Sequence, residues 1–99
     1  MTVINVGIAG LGTVAQGVLE LIRRNGALMH QRSGVTLRVV RVASRREKPE
    51  VDLMGARFST SLEDLLNDSE IDLILELIGG DGVALDLIRK ALAKGTPVV

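Results

Sequence analysis

The sequence predicts an α/β domain, a parallel sheet with helices on both faces, and three observations carry that prediction. Apolar runs of strand length alternate with stretches of helical periodicity. The hydrophobic content of 46% comes from Val, Ile, Leu and Ala, with Phe58 as the only aromatic residue, which suits layered strands and helices. Glycines close the first and fourth apolar runs, where a parallel strand hands over to a helix. At 99 residues the chain is one domain at most, so 1–99 is read as a single unit.

Val3 to Ala9 is a nearly continuous apolar run, the pattern of a strand covered on both faces. Val14, Val18, Leu21 and Ile22 then recur at helical spacing, with Gln16, Glu20, Arg23 and Arg24 off that face. The helix is expected to break at Asn25-Gly26, resume for a turn or two over 27–32 with Leu28 and Met29 as core filler, and stop at Ser33-Gly34. Thr36 to Ala43 reads as the second strand, Glu47 to Gly55 as a loop holding Pro49, and Arg57-Phe58 as a short third strand. Thr60-Ser61-Leu62-Glu63 has capping-box spacing and predicts a short helix over 62–67.

Ile71 to Ile78 is the fourth strand. Asp81 is placed to cap a helix whose Ala84, Leu87, Ile88, Ala91 and Leu92 face the sheet, and Lys94-Gly95 ends it with a cation beside the negative helix end. Thr96 to Val99 begins another strand. A sheet that stops there leaves neighbours uncovered, so the sheet is expected to be incomplete and the chain to be the N-terminal part of something longer.

Composition narrows the function. Twelve basic and twelve acidic side chains cancel, so no global field draws the chain to nucleic acid or an anionic membrane, and stacking platforms for bases are missing. With no cysteine there is no disulfide, thiolate metal site or cysteine nucleophile. The N-terminal apolar stretch is cut by Asn5, Gly7, Gly10 and Gly12 and has no basic flank, which argues against a signal peptide or membrane span. The expectation is a cytoplasmic protein that touches neither nucleic acid nor membrane.

Gly10-Leu11-Gly12-Thr13-Val14-Ala15 is G-x-G-x-x-A at the first strand-to-helix turn. Gly10 permits the tight turn, Gly12 lets a pyrophosphate lie against backbone, and Ala15 is small enough for helix to pack on strand. The free N–H groups and dipole of the helix N-terminus then face the phosphates. The bland reading is a tight turn alone; strands on both sides favour a Rossmann-type dinucleotide site.

The end of the second strand addresses the ribose. Val42-Ala43-Ser44-Arg45-Arg46 offers no carboxylate for a 2′-hydroxyl, whereas a hydroxyl followed by two guanidinium groups suits a 2′-phosphate. The alternative is a solvated basic loop relieved by Glu47. This favours NADP, with NAD possible.

Gly79 and Gly80, after Glu76-Leu77-Ile78, sit at the ligand-bearing sheet edge and can line the nicotinamide half; a plain turn into the next helix explains them equally well. Glu76 is read as a local hydrogen-bonding carboxylate rather than a catalytic one. His30 reads as a surface residue near a helix C-terminus, and Lys90 and Lys94 as solvated. No metal-ligand spacing or catalytic set is found, so neither metal nor catalytic residues are assigned.

With these motifs in place, the chain resembles the N-terminal nucleotide-binding domain of homoserine dehydrogenases, which interconvert aspartate semialdehyde and homoserine. The likeness is carried by Val6 to Val14, by Val42-Ala43-Ser44-Arg45, by Asp72 to Gly80 and by Ala91 to Val99. It implies that Gly10, Leu11, Gly12, Thr13 and Val14 hold the pyrophosphate and that Arg45 meets the 2′-phosphate. Ala15 stands where many members have glycine, and Arg46 where an acidic residue is common, which tilts the site further towards NADP. The family's substrate and hydride-transfer residues follow the strand begun at Pro97. By resemblance the parent protein is an oxidoreductase acting on a small-molecule substrate, a homo-oligomer when full length, and these residues alone are expected to be inactive. Another small-substrate dehydrogenase or reductase, or a non-catalytic NADP-binding module, stays open.

Overall fold

The computed structural model describes residues 2–78 and 82–99. In chain order the elements are β1 (Thr2–Ala9), α1 (Thr13–Ser33), β2 (Val35–Ala43), β3 (Arg57–Ser59), α2 (Glu63–Leu66), β4 (Leu73–Glu76) and α3 (Gly82–Ala93). All strands are parallel, in the order β3-β2-β1-β4. Beyond β4 the bridge Ile74↔Val98 starts a fifth position, with the Ile74 N–H donating to the Pro97 carbonyl and the Val99 N–H to the Ile74 carbonyl, both at 2.9 Å. The chain winds outward from β1 to β3 and then crosses back to the other side of β1. That reversal opens a crevice at the carboxyl ends of the central strands.

Two apolar clusters, one on each face, make the core. Val6, Ile8, Val39 and Val42 pack under Ala15, Leu19 and Ile22 of α1. Ala9, Val40, Ala43 and Ile74 pack under Leu65, Leu66, Leu87 and Ala91 of α2 and α3. Alternation along β1 and β2 therefore feeds opposite layers, as a doubly covered sheet requires.

The phase of α1 departs from the expected stripe. Ala15, Leu19 and Ile22 are its buried residues, whereas Val14 is 64% and Leu21 59% exposed. The glycine turn buries the first helical turn against the sheet, with Ala15 0% exposed in the cluster of Val6, Ile8, Val39 and Val42. That contact sets the rotation of everything after it. The expected break at Asn25-Gly26 does not occur: α1 runs unbroken to Ser33 and ends at Gly34, in the left-handed region at φ 74°, whose N–H caps the His30 carbonyl at 2.8 Å. A helix-interior glycine costs only about 1 kcal/mol relative to alanine, less than the apolar face returns. Leu28, expected in the core, is exposed.

Three smaller corrections follow from local chemistry. Thr60 does not cap α2; the Glu63 N–H donates to Ser61 Oγ at 3.3 Å, and Ser59 Oγ donates to the Asp64 carboxylate. Leu92 is exposed rather than facing the sheet, because Ala84, Leu87 and Ala91 take that face. Strand β4 is shorter than the apolar run predicts, since Ile71 packs beneath α2 instead of pairing. The proposed cap Asp81 lies outside the described residues.

A register shift between Val6 and Gly7 leaves Val40 unpaired opposite β1 and turns both Val40 and Arg41 towards α2. Arg41 Nε donates to Asp68 Oδ2 at 3.0 Å, with the side chains 17% and 14% exposed. Burial pushes the Asp68 carboxyl up, but the hydrogen bonds from Arg41 and from the Glu70 N–H outweigh it and hold the group below the ordinary aspartate range. Asp68→Asn is accordingly expected to cost about 1–3 kcal/mol at neutral pH by urea unfolding. The gap between variant and wild type should narrow as pH falls through the lowered pKa of folded Asp68, because a depressed carboxylate stabilises only while it stays ionised. An unchanged gap at the acid end would show that the charge of Asp68 contributes nothing.

Candidate functional site

The carboxyl ends of the central strands open into a cleft of about 880 Å³, lined at one end by Gly10, Leu11 and Gly12 and along its side by Ala43, Ser44 and Arg45. Gly10 is clamped between both neighbours of β1: its N–H donates to the Ala43 carbonyl at 2.8 Å, and the Leu77 N–H donates to the Ala9 carbonyl at 2.9 Å. Its φ is +107°, and a Cβ there would lie 2.9 Å from the Leu77 oxygen and 3.1 Å from Ile78 Cα, so glycine is demanded by the protein itself.

Gly12 differs. Its φ is −83°, open to any residue, and no heavy atom of the described residues lies within 4 Å of where its Cβ would stand. Nothing among the described residues requires glycine there, yet the missing side chain leaves the start of α1 bare. The first intrahelical bond runs from the Gln16 N–H to the Gly12 carbonyl at 2.9 Å, so the amides of Thr13, Val14 and Ala15 have no acceptor within the helix. Among the described residues no side chain caps this end, and no acidic residue lies in the first turn. The result is an uncompensated electropositive terminus beside an open cradle, which suits an anion.

The sequence-derived candidates divide at this site. Leu11 is 2% exposed, its side chain in the core, so only its backbone can serve a ligand. Thr13 and Val14 begin α1 at the cradle but do not line the cleft. Ser44 is half-buried, its N–H donating to the Ser59 carbonyl at 3.0 Å, and Arg45 projects into the cleft lining while Arg46 is exposed outside it. Among the described residues no carboxylate pairs with either arginine, Glu47 included. Gly79 and Gly80 lie outside the described residues.

The far wall was not anticipated. Thr60, Ser61 and Glu63 at the β3–α2 corner, and Val83, Asp86 and Lys90 on α3, complete the cleft. Lys90 is tied up, with Nζ 2.9 Å from Glu63 Oε1 and 3.2 Å from Asp86 Oδ2, and those hydrogen bonds, Glu63 first, hold its ammonium above the usual lysine range. Lys94 likewise donates to Asn67 Oδ1 at 2.7 Å. Both lysines are exposed, as expected, and in addition they tie α3 and the residue after it to α2 and its C-cap Asn67. Asp86 and Lys90 stand at i, i+4 and could have been paired from sequence; Glu63 is 27 residues from Lys90 and gave no local signal.

Glu76 is half-buried in β4, its N–H donating to the Val99 carbonyl. His30 lies at the opposite end of α1 from the cradle, with Nδ1 2.9 Å from Thr36 Oγ1. Among the described residues no group of three or more metal-ligating side chains converges, and no helix is long and apolar enough to cross a membrane.

Comparison with known proteins reads this geometry. The family model of the homoserine dehydrogenase NAD-binding domain matches residues 10–99, from the first glycine of the cradle to the last residue. The chain belongs to that family. The homoserine dehydrogenase of Pseudomonas aeruginosa is 36% identical over 99 residues, all of this chain and 23% of the relative. That of Bacillus subtilis is 40% identical over 82 residues, 81% of this chain and 19% of the relative. The crystal structure of a homoserine dehydrogenase from Thiobacillus denitrificans superposes with a TM-score of 0.87 at 41% identity, covering 99% of this chain and 23% of that one. The chain thus spans about a quarter of the length of the homoserine dehydrogenases it matches, and the matched part is a Rossmann-type domain that binds a nicotinamide dinucleotide.

Proposed function

We propose that this domain binds NADP in preference to NAD, with the backbone of Gly10, Leu11, Gly12, Thr13 and Val14 on the pyrophosphate and Ser44, Arg45 and Arg46 on the adenosine 2′-phosphate. Gly79 and Gly80 are assigned to the nicotinamide half. The observation that carries this reading is that Arg45, free of any carboxylate partner among the described residues, lines the same cleft as the glycine cradle. A guanidinium is matched to a phosphate and mismatched to a bare ribose hydroxyl that wants an acceptor. The open space at Gly12 supports the fit, since backbone and phosphate can meet there with no Cβ between them.

The relatives' name supports dehydrogenation of homoserine as the whole protein's reaction; aspartate semialdehyde as the other reactant, a homo-oligomeric state and a cytoplasmic location are our further assignments. NADPH would supply the hydride for reduction and NADP⁺ would accept it in the reverse direction; the residues of this chain would bind and orient the dinucleotide. Glu63, Asp86 and Lys90 of the cleft's far wall pair with one another, and this domain's part in the reaction is to hold the dinucleotide.

Calorimetric titration with NADPH and NADH tests the reading. Wild type should favour NADPH, and Arg45→Ala should weaken NADPH binding by about 1.5–3 kcal/mol, the worth of hydrogen bonds to a charged group, while leaving NADH as it was. Equal affinities for both, unmoved by the substitution, would remove Arg45 from the site.

A further inference from the structure

The loop that follows Arg45 has a fixed shape and a footing. Between β2 and β3 it holds no helix, yet Val51, Leu53, Met54 and Ala56 pack against the buried cluster that α1 shares with β1 and β2. The Val51 N–H donates to the Lys48 carbonyl and the Ala56 N–H to the Leu53 carbonyl, both at 3.0 Å, and between them Asp52 Oδ1 accepts the Met54 N–H at 2.8 Å. Met54 stands at φ +54°, among the described residues the one non-glycine in the left-handed region, and Gly55 follows at +81°. An L side chain keeps that conformation only where its surroundings impose it. Here the Asp52 acceptor and the apolar cluster beneath Met54 impose it.

The same loop meets α1. Glu50, Val51 and Asp52 face Gln16, Leu19 and Arg23 across a groove of about 210 Å³. The Arg23 guanidinium, held above the ordinary arginine range chiefly by its hydrogen bond to Glu20, also feels the charge of Asp52. Loop and glycine cradle thus share one support, since the cradle is the start of α1. Arg45 depends on such a support: it is exposed, it pairs with no carboxylate among the described residues, and the bond from the Ser44 N–H to the Ser59 carbonyl ties the chain only on its N-terminal side.

We infer that Asp52 and Met54 are positioning residues for the 2′-phosphate: the turn they build seats the 47–56 loop on α1 and so holds Arg45 beside the cleft. The inference rests on the assignment of Arg45 given above. NADH has no 2′-phosphate and makes no use of the footing. A loosened loop therefore adds an ordering cost to NADPH binding alone.

Titration of folded samples with NADPH and NADH, each checked for a cooperative melt, tests this. Asp52→Ala should weaken NADPH binding roughly five- to tenfold and leave NADH within about twofold, the size expected when one side chain must be ordered on binding. Asp52→Asn keeps the Oδ1 acceptor without the charge and should restore NADPH affinity. Met54→Gly, which frees the backbone and removes the apolar footing, should act like Asp52→Ala. In an Arg45→Ala background Asp52→Ala should have no further effect, because the two act on one contact. Equal losses for both dinucleotides, a loss that persists without Arg45, or no loss in either Asp52→Ala or Met54→Gly overturns the inference and leaves the Arg45 assignment standing. If Arg45→Ala itself leaves NADPH binding unchanged, that assignment fails and the inference falls with it.

Discussion

Gly10→Ala should unfold readily. The added Cβ meets backbone rather than a side-chain tip, at 2.9 Å from the Leu77 oxygen and 3.0 Å from its carbonyl carbon, and the residue must also hold φ at +107°. Neither neighbour can yield cheaply, because the Leu77 N–H is bonded to the Ala9 carbonyl and the Gly10 N–H to the Ala43 carbonyl. Strain and overpacking together are worth on the order of 3 kcal/mol. For a domain of this size that corresponds to a fall in Tm of roughly 10–20 °C. A melting temperature within experimental error of wild type would mean that β1 and β4 do not meet at Gly10 as described.

Gly12→Val should do the opposite, leaving the fold intact and abolishing the ligand. Its backbone angle suits any residue and its surroundings are open, so the loss of stability should stay near 1 kcal/mol, the disadvantage of valine at a helix N-cap. The isopropyl group fills the space in which a phosphate would meet the free amides of α1. NADPH affinity is expected to drop on the order of a hundredfold, about 2.7 kcal/mol, with a cooperative melt retained. Two glycines two positions apart thus separate what the fold needs from what the ligand needs. Undiminished NADPH binding by a folded Gly12→Val variant would place the pyrophosphate elsewhere.

The parts of the fold legible in the sequence were those fixed by local signals. Strand β1, the turn at Gly10 to Ala15, the stops at Gly34 and Gly95 and the loop before Arg57 all follow from short-range pattern and turn chemistry. The rotation of α1 was not legible, because Val14, Val18, Leu21 and Ile22 and the set Ala15, Leu19 and Ile22 are both acceptable helical stripes. The choice is made by a contact across the chain, the closeness of Ala15 to the sheet. The continuity of α1 through Asn25-Gly26 was hidden for a related reason, since a local penalty was outweighed by tertiary packing.

The site divides along the same line. The cradle and the arginines sit on consecutive residues and were visible. The wall made by Glu63, Asp86 and Lys90 joins α2 to α3 across 27 residues and exists only once the sheet is assembled. Sequence pattern also could not separate Arg45 from Arg46, which are adjacent and alike; in the structure both are exposed and Arg45 is the one that lines the cleft.

The central claim is that the exposed amides at the start of α1, together with the end of β2, hold an NADP-type dinucleotide. Amide-resolved NMR of the chain titrated with NADPH measures this directly. The account requires saturable shifts at Gly10, Gly12, Thr13 and Val14 and at Ser44, Arg45 and Arg46, with His30 and Thr36 at the far end of α1 unmoved. Saturable shifts that bypass Gly12 to Val14, or a folded spectrum indifferent to NADPH, would contradict it.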